Sequence, residues 1–308
     1  MITQQPVLVA HNWNAKDYAK GNRIDAAAQL LREKKINLKN KIVFDIGSGT
    51  GNISSYMACI GASSVLGIDA SLNMINWSNS QHGYTKNLSF KQCFAENFSP
   101  AAKGDLVTLF NCLDWIKNEN KPLVLQKCYE SLQPGGELIG NIRTAEDGLS
   151  ISLSMLEKIL PQLKKIAPTL KKEDILQSSG SGSSYLTRTQ LNSILKKIGF
   201  TQISLETKSL NYTFRDYNEL YAFERPIMMS RPFMQSLDPK IREEILKLYV
   251  HELFKTLKYV REDDDNEDDH YGTPETQRMI IHSLDDHYIN PNDRTTVIHC
   301  FKGTASKL

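Results

Sequence analysis

The chain has 308 residues, 40% hydrophobic and 23% charged, enough apolar material for one large α/β domain or two small ones. Its 37 basic and 35 acidic side chains leave a net charge of +2, which gives no global electrostatic reason to bind nucleic acid or an anionic membrane. No apolar run reaches the roughly 18 residues that a membrane span needs. Pro6–Ala10 is too short for a signal segment. The five cysteines are scattered, with no C-x-x-C pair. Cys93, Cys112 and Cys300, inside apolar runs, fit buried thiols in a reducing, cytoplasmic setting, not a disulfide frame or zinc site.

Along the chain, Asn14 to Lys35 is helical in pattern. Strands are then expected at Lys41–Ile46, Ser64–Ile68, Leu88–Phe94, Leu106–Phe110 and Glu137–Ile142. Helices are expected at Asn52–Ile60, Leu72–Ser80 and Pro122–Leu132, the last ended by a turn at Gln133–Gly136. Strands separated by helical patterns imply βαβ units and a mainly parallel sheet. Leu149–Leu170 is amphipathic and Lys-rich, and the Ser/Gly run 178–184 reads as a loop or hinge. Thr187 opens a helix that Gly199 ends, leading into a strand at Thr201–Thr207. Asp216–Tyr259 is expected to be largely helical, with Asp238-Pro239 as a start signal. Thr295–Phe301 reads as the last strand. The organisation expected is a core over 1–147 with an N-terminal helix, a cap insertion over 148–184, and a core helix and strand over 185–215. A helical insertion over 216–294 and a last core strand and tail over 295–308 complete it.

The most informative segment is Val43–Gly51, a buried strand running into Gly47-x-Gly49-x-Gly51 and then a helix. Glycines there let the backbone turn sharply and approach a ligand closely. The spacing is not the G-x-G-x-x-G of a dinucleotide site. Asp45, just before the turn, would repel a pyrophosphate and suits an ammonium group. Asp69 ends the second strand, 18 residues after Gly51, where an acidic residue commonly holds ribose hydroxyls. Together they specify an adenosine-type ligand with a cationic tail. S-adenosyl-L-methionine fits, and the alternative is a tight turn that holds no ligand.

Asp45–Gly51, Gly67-Ile-Asp69, Ala95-Glu96, Asp105–Asn111 and Leu132–Gly136 resemble the successive motifs of class I S-adenosylmethionine-dependent methyltransferases. The resemblance covers roughly Tyr18 to Ile142. It implies a Rossmann-like α/β fold with a seven-stranded sheet and an antiparallel last strand, here with a helical cap. It also implies cofactor contacts from Tyr18, Asp45, Gly47, Ser48, Gly49, Gly51, Asp69, Ala70, Met74, Ala95, Glu96 and Asn111. Phe94 replaces an acidic residue usual near the adenine and either stacks or packs. Within the family, Trp13-Asn14, Tyr18, Arg23 and Phe110–Asn118 are similar to the group that methylates trans-aconitate, juvenile hormone acid and malonyl-carrier-protein carboxylates. That likeness implies Trp115 and Asn22 as residues aligning an acceptor carboxylate. Asp114 stands where the group often has His or Gln, and an acidic side chain facing a carboxylate would be unfavourable.

A carboxylate acceptor is ionised at neutral pH and needs no base. Asn111–Trp115 contains no His or Lys, which agrees. Arg143, after the fifth strand, is a candidate bidentate carboxylate ligand or a surface Arg. The acceptor is expected to be a small molecule. Lys158, Lys164, Lys165, Lys171 and Lys172 form either a solubilising face or a contact for a carrier protein. No metal is expected. Glu262–Asp269 holds seven carboxylates in eight residues but fails the EF-hand pattern, and His270, His282 and His287 have no diagnostic spacing.

Overall fold

The computed structural model describes residues 13–20, 24–147, 151–176, 185–210, 213–214, 216–256, 258–261, 277–280 and 293–303. Two helices, α1 (Ala15–Tyr18) and α2 (Ile24–Glu33), precede an alternation of β1 (Ile42–Ile46), α3 (Asn52–Cys59), β2 (Ser64–Asp69), α4 (Leu72–His82), β3 (Leu88–Gln92) and β4 (Gly104–Leu109). Then come α5 (Lys121–Ser131) and β5 (Leu132–Ile142), followed by α6 (Ile151–Lys158), α7 (Leu160–Ile166) and α8 (Lys172–Leu176). Next are α9 (Arg188–Ile198), β6 (Phe200–Leu210) and β7 (Thr213–Phe214). The chain continues through α10 (Tyr217–Ser230), α11 (Pro232–Gln235), α12 (Pro239–Lys255), β8 (Lys258–Arg261), β9 (Gln277–Ile280) and β10 (Asp293–Lys302).

Seven strands form one sheet in the order β3-β2-β1-β4-β5-β10-β6. The first five are parallel, and β10 runs antiparallel between β5 and β6. This is the expected sheet with its antiparallel last strand. Successive residues of a strand point to opposite faces, and the sequence supplies apolar pairs to suit: Leu106/Val107, Leu138/Ile139 and Val297/Ile298. One face packs on α2 and α3 through Leu30, Leu31 and Met57. The other packs on α5 and α9 through Val124, Leu125, Leu191 and Leu195. The order in which strands are added reverses between β1 and β4, so a crevice opens at their carboxyl ends.

A third apolar core lies outside the sheet. Leu153, Leu156, Ile159 and Leu163 pack on Leu220, Phe223, Ile245 and Tyr249, so 151–176 and 216–256 share one helical cluster. Inside it, Tyr249 Oη donates to Glu224 at 2.9 Å. The α9 start matches the sequence signal: Thr187 and Gln190 form a reciprocal capping box, and Gly199 ends the helix at φ 112°.

Two expectations need correction. Gln133–Gly136 is not a turn between elements but an excursion within β5. The pairing jumps from Gly104↔Leu132 to Leu106↔Glu137, which absorbs the extra residues. Helix does not persist to Tyr259, because β8 pairs with β9 in a small three-stranded sheet completed by β7. Its strands are only two to four residues long and carry little alternation for sequence reasoning to find. The expected hinge 178–184, the acidic run 262–269 and His270, His282 and His287 lie outside the described residues. Among the described residues, no helix is long and apolar enough to cross a membrane.

Candidate functional site

The turn after β1 is stitched to the end of β2. Gly47 and Ser48 both donate their amides to the Ile68 carbonyl at 2.8 Å. The Gly49 amide donates to Asp69 Oδ2 at 3.0 Å, and the Ser71 amide to Asp69 Oδ1 at 2.8 Å. Gly47, Gly49 and Gly51 have φ of 76°, 53° and 81°, a region that costs other residues roughly 1–2 kcal/mol. Their surroundings differ. A Cβ on Gly47 would lie 2.6 Å from Cys112 Sγ, and one on Gly51 2.6 Å from the Phe90 ring. A Cβ on Gly49 would meet only the Tyr18 ring, at 3.7 Å. Gly47 and Gly51 therefore pack the turn against the protein, whereas Gly49 faces open space.

That space is a cleft of about 970 Å³, open to solvent on one side, at the carboxyl ends of β1 to β4. Its walls include Gly47 and Gly49, Asp69 and Ala70, Cys93 to Glu96, and Phe110 to Cys112. Ile116, Lys117 and Asn120 close one end. An aromatic group lies across it: Trp13 meets Tyr18 and Trp115 edge-on, with ring centroids 5.4 and 5.0 Å apart. A side recess shares Tyr18, Gly49 and Asn111 and is lined by Ser48, whose buried hydroxyl has no protein partner. Burial of a polar atom without a partner is costly, so that hydroxyl marks a place for a ligand's polar group.

Of the expected cofactor residues, Tyr18, Gly47, Gly49, Asp69, Ala70, Met74, Ala95, Glu96 and Asn111 line the main cleft and Ser48 its recess. Two do not. Gly51 shapes the turn and caps α3. Asp45 lies beneath the cradle, 1% exposed, accepting from Ser54 Oγ at 2.5 Å and Thr108 Oγ1 at 2.7 Å. It is a buried brace and not a direct ammonium ligand; any effect on a cation is through space. Burial raises its pKa to about 6, against the pull of its two hydroxyl donors. Burial also raises that of Asp69, against two backbone donors.

The acceptor side departs further from expectation. Trp115 lines the cleft, but Asp114 and Arg143 are not among its walls. Asp114 Oδ1 instead accepts the Arg143 amide at 2.9 Å, tying the loop after β4 to the end of β5. The Arg143 side chain is buried, contrary to the surface expectation. Asn22 falls outside the described residues. Asn111 has φ 52° and is locked by Asn141, which accepts its amide at 2.9 Å and donates to its side chain at 3.0 Å. Sequence reasoning missed Asn141, and it missed Lys117 and Asn120 as lining residues. Trp13 stood in a matching motif but with no role given. Phe94, left between stacking and packing, lines the cleft.

Residues 18–205 match the family described as a methyltransferase domain. A candidate methyltransferase of Invertebrate iridescent virus 6, 235L, is 25% identical over 251 residues, spanning 80% of this chain and 86% of its own length. A phosphoethanolamine N-methyltransferase of Plasmodium falciparum is 28% identical over 126 residues, 40% of this chain and 47% of that protein. Among solved structures, Haemonchus contortus phosphoethanolamine N-methyltransferase 2 in complex with S-adenosyl-L-methionine superposes with a TM-score of 0.54. Its identity is 17%, over 94% of this chain and 57% of that one, and the likeness is one of fold. Well over half of this chain is matched, and the matched span carries all four strands whose ends form the cleft. The chain therefore belongs to the methyltransferase-domain family.

Proposed function

We propose that this chain transfers a methyl group from S-adenosyl-L-methionine to a small molecule, with a carboxylate oxygen as the acceptor. One observation carries the cofactor part: Gly49 turns its Cα into the cleft directly beside Asp69. The cleft fits the cofactor in three further respects. Asp69 has oxygen lone pairs left for ribose hydroxyls, the Ser48 hydroxyl has no protein partner, and Phe94, Ala95 and Ile116 offer apolar surface to a purine. The bound cofactor supplies a methyl group that its sulfonium already makes electrophilic.

The protein's own part is alignment and exclusion of water. Tyr18, Trp13 and Trp115 cover the cleft and shield it. The Asn141 lock holds Asn111, and with it the loop leading to Trp115, in one geometry. Two features support a carboxylate acceptor. Asn111–Trp115 contains no His or Lys. Asp114, which would repel a carboxylate, is turned onto the Arg143 amide. The competing reading is N-methylation of an amine, the activity named for two of the relatives above. C-methylation, a protein substrate and cofactor binding without catalysis complete the set.

The test uses cofactor carrying a labelled methyl group, presented with panels of small acids and amines. A carboxyl acceptor gives a methyl ester, which alkali cleaves to release volatile labelled methanol. An amine acceptor gives an alkali-stable product. Transfer to amines alone would overturn the carboxylate assignment. Absence of transfer by protein that binds the cofactor would favour the non-catalytic reading.

A further inference from the structure

The helix that carries Tyr18 cannot hold itself in place. At four residues, α1 is far below the length at which a helix persists in water. Its position must come from what it touches: Ala15 is buried, and Asp17 gathers the polar contacts. The Asp17 carboxylate takes hydrogen bonds from Asn14 Nδ2 at 2.9 Å and Lys20 Nζ at 3.0 Å, both local. Its third partner is distant: Arg225 Nη1 donates to Asp17 Oδ2 across 208 positions of sequence. Arg225 lies on α10, one turn after Tyr221, and Tyr221 Oη donates to Glu243 of α12. The far end of the contact is thus anchored in the helical cluster of 151–176 and 216–256, which has its own apolar core.

Asp17 precedes Tyr18, whose ring lies 3.7 Å from where a Cβ on Gly49 would be. On its other side the turn carries Trp13, the bridge between Tyr18 and Trp115. A second, weaker tie links Asn73 Nδ2 of α4 to the Trp13 carbonyl at 3.3 Å. We propose that Arg225 is a positioning residue for the cofactor cleft: its ion pair with Asp17 latches α1 to the C-terminal helices and holds Trp13 and Tyr18 over the cradle. The proposal rests on the cofactor reading above. It makes the C-terminal helices, remote from the glycine turn in sequence, part of what sets cofactor affinity. Asp17 is largely shielded, so the pair is less screened by solvent than a fully exposed one.

Two readouts on the full chain test this. Trp13 and Trp115 lie close enough for their indoles to couple, so their exciton couplet in circular dichroism reports the position of α1 without any ligand. Calorimetric titration with S-adenosylhomocysteine reports the cleft. Trp13→Phe fixes the signal that remains when the couplet is lost. Arg225→Ala should remove most of the couplet and weaken S-adenosylhomocysteine about fivefold. Asp17→Ala should do the same, and the double variant should be no worse than either. Arg225→Lys, which keeps the charge, should recover part of both. An unchanged couplet in Arg225→Ala, or losses from Arg225→Ala and Asp17→Ala that add, would overturn the latch. A lost couplet with unchanged affinity would overturn the positioning role. Failure of the wild-type protein to bind S-adenosylhomocysteine is a different result; it removes the cofactor reading and the positioning role with it, while the couplet still reports whether the latch exists.

Discussion

Replacing Asp45 by Asn should make the protein less sensitive to pH, in a direction opposite to ordinary carboxylate behaviour. Asp45 is fully buried, and burial raises its pKa from 3.8 to about 6. A raised folded-state pKa means that the native protein favours the protonated form. Its contribution to stability is therefore complete below pH 3.8 and is lost as pH rises through 6. The shift is about 2 units, which corresponds to about 3 kcal/mol over the whole window. Of this, roughly half falls between pH 5 and pH 7.5. Asn carries no charge and retains an oxygen for one hydroxyl, while the other hydroxyl of Ser54 and Thr108 can rotate to accept. Denaturant unfolding at pH 5, 6 and 7.5 measures the difference between the two proteins. That difference removes His82, whose pKa burial lowers and which loses stability as pH falls in both, and keeps Asp45 together with its charge coupling to Asp69. The Asn variant should gain on the order of 1 kcal/mol relative to wild type on going from pH 5 to 7.5. A constant difference, or one that changes the other way, would refute a buried Asp45 with a raised pKa.

Other outcomes follow from the same geometry. Gly49→Ala should fold with a loss of roughly 1–2 kcal/mol from its backbone conformation and yet weaken cofactor strongly, as calorimetry beside thermal unfolding would show. Gly47→Ala should lose more stability than Gly49→Ala, since its Cβ would overlap Cys112; equal melting points would contradict the packing. Asn141→Ala should release the left-handed Asn111 and cost about 1–3 kcal/mol of stability, with turnover falling more than cofactor affinity. Asp114→Asn keeps an oxygen for the Arg143 amide and should leave acid turnover near wild type, whereas a large loss with normal cofactor binding would point to an amine acceptor.

Much of this was legible in the sequence because the core is written in local rules. The parallel strands are short apolar runs between helical patterns, and Thr187 with Gly199 brackets α9. The glycine turn and Asp69 were readable because close backbone approach and ribose recognition constrain residue type. What stayed hidden depends on contacts across the chain. Asp45 looked like a ligand because its neighbours Ser54 and Thr108, 9 and 63 residues away, could not be paired with it in advance. Asn141 sits near the end of β5 with no local pattern to distinguish it from packing, and the direction of Asp114 is set by the amide of residue 143. The excursion in β5 carries the residues of a turn, and only the pairing with β4 shows that the strand runs through it.

The most direct test of the central claim is calorimetric titration of S-adenosylhomocysteine into wild-type protein and into Asp69→Asn. Asp69 is held by the Gly49 and Ser71 amides at the floor of the cleft, and Asn keeps one acceptor oxygen while losing the charge and the second acceptor. Wild type should bind one ligand per chain, and Asp69→Asn should bind about tenfold or more weakly with its fold intact, the loss of one to two hydrogen bonds to a charged group. No binding by folded wild-type protein, or equal affinity in the two proteins, would contradict the assignment of this cleft.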